Sequence, residues 1–235
     1  MKNIDSAFYS DIGGRENNED SYLCKKLDEY TVFAVADGLG GHNDGEVASH
    51  IAVKSIEEIM IDNANDDVFE AIEYANAQVI AQQEKTMTKM KTTIAIALIK
   101  EDRTIVAHVG DTRVYAFNEG KVVFQTKDHS ASQMAVAVGE IKPEEIRNHD
   151  DRNVLTRVLG ASEEVKVDAV AISKNQYDAL LICSDGFWEY VLEEEMENTL
   201  KNSDSAMNWL YKMRTIQMNR APDNCDNNTA IVVRI

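Results

Sequence analysis

Val32-Phe33-Ala34-Val35-Ala36 runs apolar into Asp37, and four glycines, Gly38, Gly40, Gly41 and Gly45, follow within eight positions. This pattern predicts a buried strand that delivers one carboxylate to a loop able to fold tightly around a small charged ligand. The arrangement recurs where Ala179-Leu180-Leu181-Ile182-Cys183 leads into Ser184-Asp185-Gly186. Two further acidic stretches lie towards the ends of the chain: Asn18-Glu19-Asp20, and Asp226-Asn227-Asn228-Thr229 ahead of the apolar Ala230-Ile231-Val232-Val233. A single strand-end aspartate is an ordinary turn or cap residue, but carboxylates at several strand ends can converge on one site. Aspartates with backbone carbonyls and water suit Mg²⁺ or Mn²⁺ rather than zinc, which prefers His and Cys. Crowded carboxylates without a metal repel one another and take up protons. Two metals about 3.5–4 Å apart can share a hydroxide, a ready nucleophile for in-line attack on phosphorus. Phosphoester hydrolysis is therefore the leading reaction class.

Competing chemistries fail on residue type. None of the three cysteines has an arginine six residues later, since Tyr30, Glu189 and Ile231 occupy those positions, so a Cys-x5-Arg phosphate loop is excluded. There is no Gly-x-Ser-x-Gly elbow, no Gly-x-x-x-x-Gly-Lys-Ser/Thr loop and no His-Glu-x-x-His. Asp128-His129-Ser130 has triad residue types, but adjacent side chains point in different directions, so a turn or helix cap is expected there.

The elements that must position the acidic residues can be read from periodicity. Ile4 to Ser10 is a strand candidate, and a polar loop carrying Arg15 precedes Tyr22-Leu23. After the central strand, Ala48, Ile51, Ala52, Ile56, Ile59 and Met60 share one helical face, and a second helix covers Val68 to about Gln83. Thr92 to Ile99, Thr104 to Val109 and Arg113 to Phe117 read as strands, with Asn118-Glu119-Gly120 as a hairpin turn into Lys121-Val122-Val123-Phe124, together an antiparallel meander. Ser130 to about Asn148 is mostly helical, with Pro143 at a helix start. Strands are expected at Val154-Leu155, Val165 to Ile172 and Ala179 to Cys183. Two late helices, Leu192 to Lys201 and Ser205 to Met218, precede a last strand from Thr229 to Ile235. Consecutive strands with helices in batches predict an α+β fold of sheet packed on sheet.

With 235 residues and no linker or composition shift, the chain reads as one domain, residues 1–235. No apolar run approaches the roughly 18 residues of a membrane span, and no apolar segment follows Met1-Lys2-Asn3-Ile4-Asp5 as a signal peptide requires. Cys24, Cys183 and Cys225 cannot all pair. A soluble, cytoplasmic protein in a reducing compartment is expected. The formal charge of −17 argues against nucleic acid and anionic membrane as partners, because both are bound through clustered Lys and Arg. An anionic substrate must be drawn in locally, by metal ions or a few placed arginines.

The ordered set Arg15-x-x-Asn18-Glu19-Asp20, Val35-Ala36-Asp37-Gly38-Leu39-Gly40-Gly41-His42, Thr92-Thr93, Val109-Gly110-Asp111-Thr112-Arg113, Asp128-His129-Ser130, Leu155-Thr156-Arg157-Val158-Leu159-Gly160, Ser184-Asp185-Gly186 and Asp226-Asn227-x-Thr229 resembles the PPM family of metal-dependent serine/threonine protein phosphatases, in its compact bacterial form. The resemblance implies a four-layer α-β-β-α sandwich of two antiparallel sheets flanked by helices, with metals in a cleft at one edge of the paired sheets. It implies that Asp37 bridges two Mn²⁺ or Mg²⁺ ions and that the Gly38 carbonyl completes one shell. Asp185 and Asp226 would bind the other ion, and Glu19 and Asp20 would act largely through bound waters. Asp111 matches the position that, with Asp185, holds a third, weaker ion; the plainer reading is a turn residue capping a hairpin. Arg15 matches the phosphate anchor, against a surface ion pair with Glu16 or Glu19. Residues 130–152 fall where the family carries a mobile flap. Eukaryotic members have a histidine where this chain has Leu39, so His42 is the candidate general acid, its alternative role being to shape the glycine loop or the following helix.

The implied function is hydrolysis of phosphoserine and phosphothreonine in proteins, substrates of a serine/threonine kinase, by a metal-bridging hydroxide without a covalent enzyme intermediate. The protein is expected to act as a monomer. Two alternatives are weaker. A catalytically silent phosphoprotein-binding module has no need of carboxylates that repel one another, and a two-metal nuclease or phosphodiesterase sits poorly with the −17 charge.

Overall fold

The computed structural model describes residues 4–40, 44–62 and 64–235. The strands are β1 (Asp5–Asp11), β2 (Asp20–Lys26), β3 (Thr31–Leu39), β4 (Lys91–Thr92), β5 (Ile94–Ile99), β6 (Arg103–Val109), β7 (Arg113–Asn118), β8 (Lys121–Gln125), β9 (Asp168–Ser173), β10 (Ala179–Cys183) and β11 (Asn228–Arg234). The helices are α1 (Asp44–Glu57), α2 (Val68–Thr86), α3 (Ala131–Ala137), α4 (Asp185–Trp188), α5 (Glu193–Lys201) and α6 (Ala206–Arg220). One sheet has the order β1-β11-β10-β7-β8; the other runs β2-β3-β5-β6-β9, with β4 beside β3. Every pairing is antiparallel.

Four layers follow from the period-two alternation of strands buried on both faces. In β3, Phe33 and Val35 face the other sheet, where they meet Val114, Leu180, Ile182 and Ile231. Ala34 and Ala36 point the other way, onto Ala52, Ile56 and Met60 of the α1 side and Ile72 of α2. On the far side Leu181 and Val232 pack under Trp209 and Met213 of α6 and Met196 of α5. The expected α-β-β-α sandwich is the fold observed, and the apolar faces assigned to the first two helices are the buried ones.

Three segments depart from the expected elements. The predicted meander is divided: β5 and β6 form a hairpin in one sheet, β7 and β8 a hairpin in the other, and the chain crosses between sheets at Gly110-Asp111-Thr112. Gly110 makes the crossing with φ +110°, and a Cβ there would lie 2.5 Å from Thr93 Cγ2. Val154-Leu155 is no strand. Leu155 forms an isolated bridge with Ser130, closed by Ala131 N to Val154 O at 2.9 Å and Thr156 N to His129 O at 2.7 Å, and it goes no further because Ser130 is already the N-cap of α3 and accepts from Gln133 N at 3.2 Å. The strand expected from Val165 starts at Asp168 instead, opposite His108, because its partner β6 ends at Val109 and leaves residues 165–167 without a strand to pair with.

Residues 130–152 hold α3 and a 3-10 turn, Pro143–Asn148, with Pro143 at its start as expected. Cys24, Cys183 and Cys225 are unpaired. Among the described residues no helix is long and apolar enough to cross a membrane.

Candidate active site

Strand ends and the turns beyond them bring the acidic residues to one edge of the sandwich. Asp37 lies near the end of β3 and is gripped through its own peptide groups: its amide donates to Thr93 Oγ1 at 3.0 Å, and its carbonyl accepts from Thr93 N and Thr92 Oγ1, each at 2.8 Å. Antiparallel register sets Asp20 of β2 opposite Asp37. Ser184 then joins the sheets, donating its hydroxyl to Asp20 Oδ2 at 2.8 Å while accepting from Thr229 N at 2.9 Å. Asp185 opens α4 directly after β10, and Asp226 stands just ahead of β11. Asn227 ties the loops together: its Oδ1 accepts from Glu19 N at 2.8 Å, and its Nδ2 donates to Ile12 O and Asn17 O at 2.8 and 2.9 Å.

Two of the loop glycines are required sterically. Gly38 and Gly45 face each other so closely that a Cβ on Gly38 would lie 2.0 Å from the Gly45 carbonyl oxygen, and one on Gly45 would lie 2.7 Å from the Glu19 carboxylate. Only glycines let the start of α1 come down on the end of β3, where the Gly45 amide hydrogen-bonds Glu19.

Arg15, Glu19, Asp37, Gly38, Asp111, Asp185 and Asp226 all line one cleft of about 550 Å³, with Leu39, Asn153 and Leu155 on its wall. Asp20 stands behind, buried against Ser184. His42 lies outside the described residues. Arg15 sits half-exposed at the mouth and pairs with Asp226 at 2.7 Å, not with Glu16 or Glu19. Asp111 occupies the crossing between the sheets and is buried.

Electrostatically the site is under-compensated. Burial, then the charges of Asp185, Asp20, Asp111 and Asp226, pushes the Asp37 carboxyl well above the usual range. Asp185 is raised in the same way, by burial and then by Asp111. Burial carries Asp20 up to about 7 despite hydrogen bonds from Thr229 and Ser184, and carries Asp111 to about 7 with Asp128 adding to it. Glu19 is raised by burial and by Asp226. Asp20 Oδ1 and Asp185 Oδ1 are buried without a partner among the described residues. Facing carboxylates with orphaned oxygens are the donor set of a hard divalent cation, which would satisfy the oxygens and remove the repulsion. Among the described residues no three acidic, imidazole or thiol groups close on one point, so an ion here needs carbonyl oxygens and water to complete its shell.

Several residues of this edge had no role legible in the sequence. Arg113 Nε and Nη2 make a buried bidentate pair with Asp128 at 2.8 and 2.7 Å, and the guanidinium lies 3.5 Å from the centre of the Trp188 ring. His129 is the cap-region residue expected at a turn, and it also accepts from Gly110 N through Nδ1 at 3.0 Å. Arg113, Thr93 and Asn227 all stand inside the motifs quoted above, which was the available signal, but their partners are distant in sequence and cannot be paired by spacing.

The family model for protein phosphatase 2C matches residues 9–227. Serine/threonine phosphatase stp from Listeria welshimeri is 33% identical over 202 residues, covering 81% of this chain and 80% of that protein. The crystal structure of serine/threonine phosphatase Stp1 from Staphylococcus aureus superposes with a TM-score of 0.88 at 28% identity, covering 100% of this chain and 96% of that one. The catalytic domain of serine/threonine protein phosphatase PstP, solved with two manganese ions, superposes with a TM-score of 0.83 at 28% identity over 98% of this chain and 97% of that one. The chain belongs to the protein phosphatase 2C family, the metal-dependent serine/threonine phosphatases whose motifs it carries.

Proposed function

We propose that this protein hydrolyses phosphoserine and phosphothreonine in proteins phosphorylated by a serine/threonine kinase, using two Mn²⁺ or Mg²⁺ ions and a third, weaker one. The observation that carries the reading is the convergence of Asp37, Asp111, Asp185 and Asp226 on one cleft, with Asp20 behind, the carboxyls of Asp37, Asp111, Asp185 and Asp20 raised and two oxygens orphaned. In this reading Asp37 would bridge two ions, the Gly38 carbonyl would complete one shell, Asp185 and Asp226 would hold the second ion, and Glu19 and Asp20 would act through water. Asp111 and Asp185 would hold the third. When bound, such ions activate water for attack on phosphorus and offset the charge of the phosphoryl oxygens.

The chain's own groups do the rest. Arg15 presents a guanidinium at the cleft mouth in an exposed pair with Asp226, and exposed pairs exchange partners at small cost, so it is free to take phosphate oxygens as a bidentate anchor. Burial pushes the Cys24 thiol up to about 12 and Cys183 higher still, so neither supplies a thiolate nucleophile. In this reading water attacks directly, with no covalent enzyme intermediate. Protonation of the leaving alkoxide falls to His42 or to water. The working unit is one monomeric catalytic domain, residues 1–235, with residues 130–152 as a flap beside the cleft; its setting is the cytoplasm, and nucleic acid and membranes are not partners.

The test is phosphate release from a phosphothreonine peptide with Mn²⁺, with and without chelator, beside a nucleic-acid cleavage control. Metal-dependent release from the peptide alone is expected. Full turnover in excess chelator would sink the metal mechanism, and binding of the peptide without turnover would make the protein a silent phosphoprotein-binding module.

A further inference from the structure

Asp37, Asp111 and Asp185 come from three different elements, and the charges they carry push them apart. What holds them is a run of buried hydrogen bonds containing no carboxylate oxygen. Thr93 Oγ1 accepts the Asp37 amide at 3.0 Å and lies 2.5 Å from Thr112 Oγ1, so the two hydroxyls tie the end of β3 to the crossing that bears Asp111. Thr93 and Thr112 are both buried. On the other side of Asp111, the Trp188 indole N–H donates to the Asp111 carbonyl at 3.0 Å. Trp188 is the last residue of α4, whose first residue is Asp185, so this bond ties the crossing to the helix that presents Asp185. The indole has little freedom of its own, since the Arg113 guanidinium lies 3.5 Å over its ring and is itself held by Asp128.

We propose that Thr93, Thr112 and Trp188 are positioning residues that set the separation of Asp111 from Asp37 and Asp185 before any ion arrives. Neutral hydroxyl and indole groups suit this task. They resist the mutual repulsion of the carboxylates without adding to it, and their burial makes each broken bond costly. Small divalent cations with near-octahedral demands gain most from ligands held in place, and the weakest ion gains most of all because it recruits the fewest ligands. The inference rests on the reading of the cleft as a divalent-metal site in which Asp111 and Asp185 hold the weaker ion.

The test is a calorimetric Mn²⁺ titration of metal-stripped protein. Thr112→Val removes one hydroxyl at nearly constant shape, Trp188→Phe removes the N–H while keeping an aromatic ring, Thr112→Ser restores the hydroxyl, and Asp111→Asn marks the weak component. Thr112→Val and Trp188→Phe should each weaken that component about tenfold and leave the tighter ones within about twofold, and Thr112→Ser should recover it. Melting in chelator should fall modestly in Thr112→Val and Trp188→Phe, as the loss of one buried hydrogen bond requires, and recover in Thr112→Ser, and turnover of a phosphothreonine peptide should fall at limiting Mn²⁺ and return when Mn²⁺ is raised. Loss of the weak component in Asp111→Asn but not in Thr112→Val or Trp188→Phe overturns the positioning role. Uniform weakening of every component, or failure of Thr112→Ser to recover the weak one, overturns it equally. An unchanged isotherm in Asp111→Asn shows that no ion depends on that carboxylate, and the proposal then falls with the three-ion reading, while the two-ion phosphatase is left standing.

Discussion

Asp37 illustrates how little of a site residue's behaviour belongs to its own side chain. Its peptide N–H and C=O are both taken by Thr92 and Thr93, so the carboxylate points from a backbone that cannot rotate away. Asp37→Asn preserves size and backbone contacts but removes the charge of the proposed bridging ligand. Turnover should fall by about 10²-fold or more, with weaker Mn²⁺ binding; near-normal rates at saturating Mn²⁺ would remove Asp37 from the bridge. Arg15 makes the opposite case. Its pair with Asp226 is exposed, so little stability hangs on it. Arg15→Ala should leave the melting temperature nearly unchanged and chiefly raise KM for a phosphopeptide, with some loss of kcat. An unaltered KM would mean that the guanidinium serves Asp226 alone.

Elements contribute through what joins them. The β6–β7 crossing carries Asp111, and it is braced by the Arg113–Asp128 pair, whose side chains are 3% and 2% exposed. Breaking such a pair from one side leaves a buried charge with little solvation. Tyr115 OH, 3.0 Å from Arg113 Nη1, and Glu193, 3.9 Å away, remain to offset part of the loss. Asp128→Ala should therefore destabilise by an amount near the lower end of about 3–5 kcal/mol, read from urea unfolding at saturating Mn²⁺. A change under about 0.5 kcal/mol, the range of an ordinary surface substitution, would show that the bidentate pair is not what braces the crossing.

For the molecule as a whole, the metal-free state holds protons that the unfolded chain does not. Asp20 and Asp111 titrate near 7 in the fold against 3.8 without it, because burial disfavours their charged forms. Groups raised in this way contribute stability that is fully present below pH 3.8 and is lost as pH rises through about 7. In chelator the melting temperature should fall between about pH 4 and 7, and saturating Mn²⁺ should flatten or reverse the trend by taking the place of the protons. A chelated protein whose stability is level across that window would show that these carboxylates are solvated rather than crowded.

Most of the secondary structure and the identity of the acidic residues were legible without coordinates, because local rules govern them. Period-two and period-3.6 patterns mark which face of an element is buried, and a strand that ends in Asp-Gly announces its carboxylate whatever lies around it. The motifs around them were named from the chain's resemblance to the PPM family. What spacing does not encode is which sheet a hairpin joins: one left-handed glycine, Gly110, sends β7 across to the other sheet and turns an apparent meander into two layers. Nor does it encode partners far apart in the chain. Asn227 with Glu19, Ser184 with Asp20 and Trp188 with Asp111 are separated by 208, 164 and 77 positions, and only the packing of two sheets against each other brings them within hydrogen-bonding distance. The acidic residues that line the cleft were therefore announced locally, whereas the spacing between them, on which the proposed metal binding depends, was decided by tertiary contacts alone.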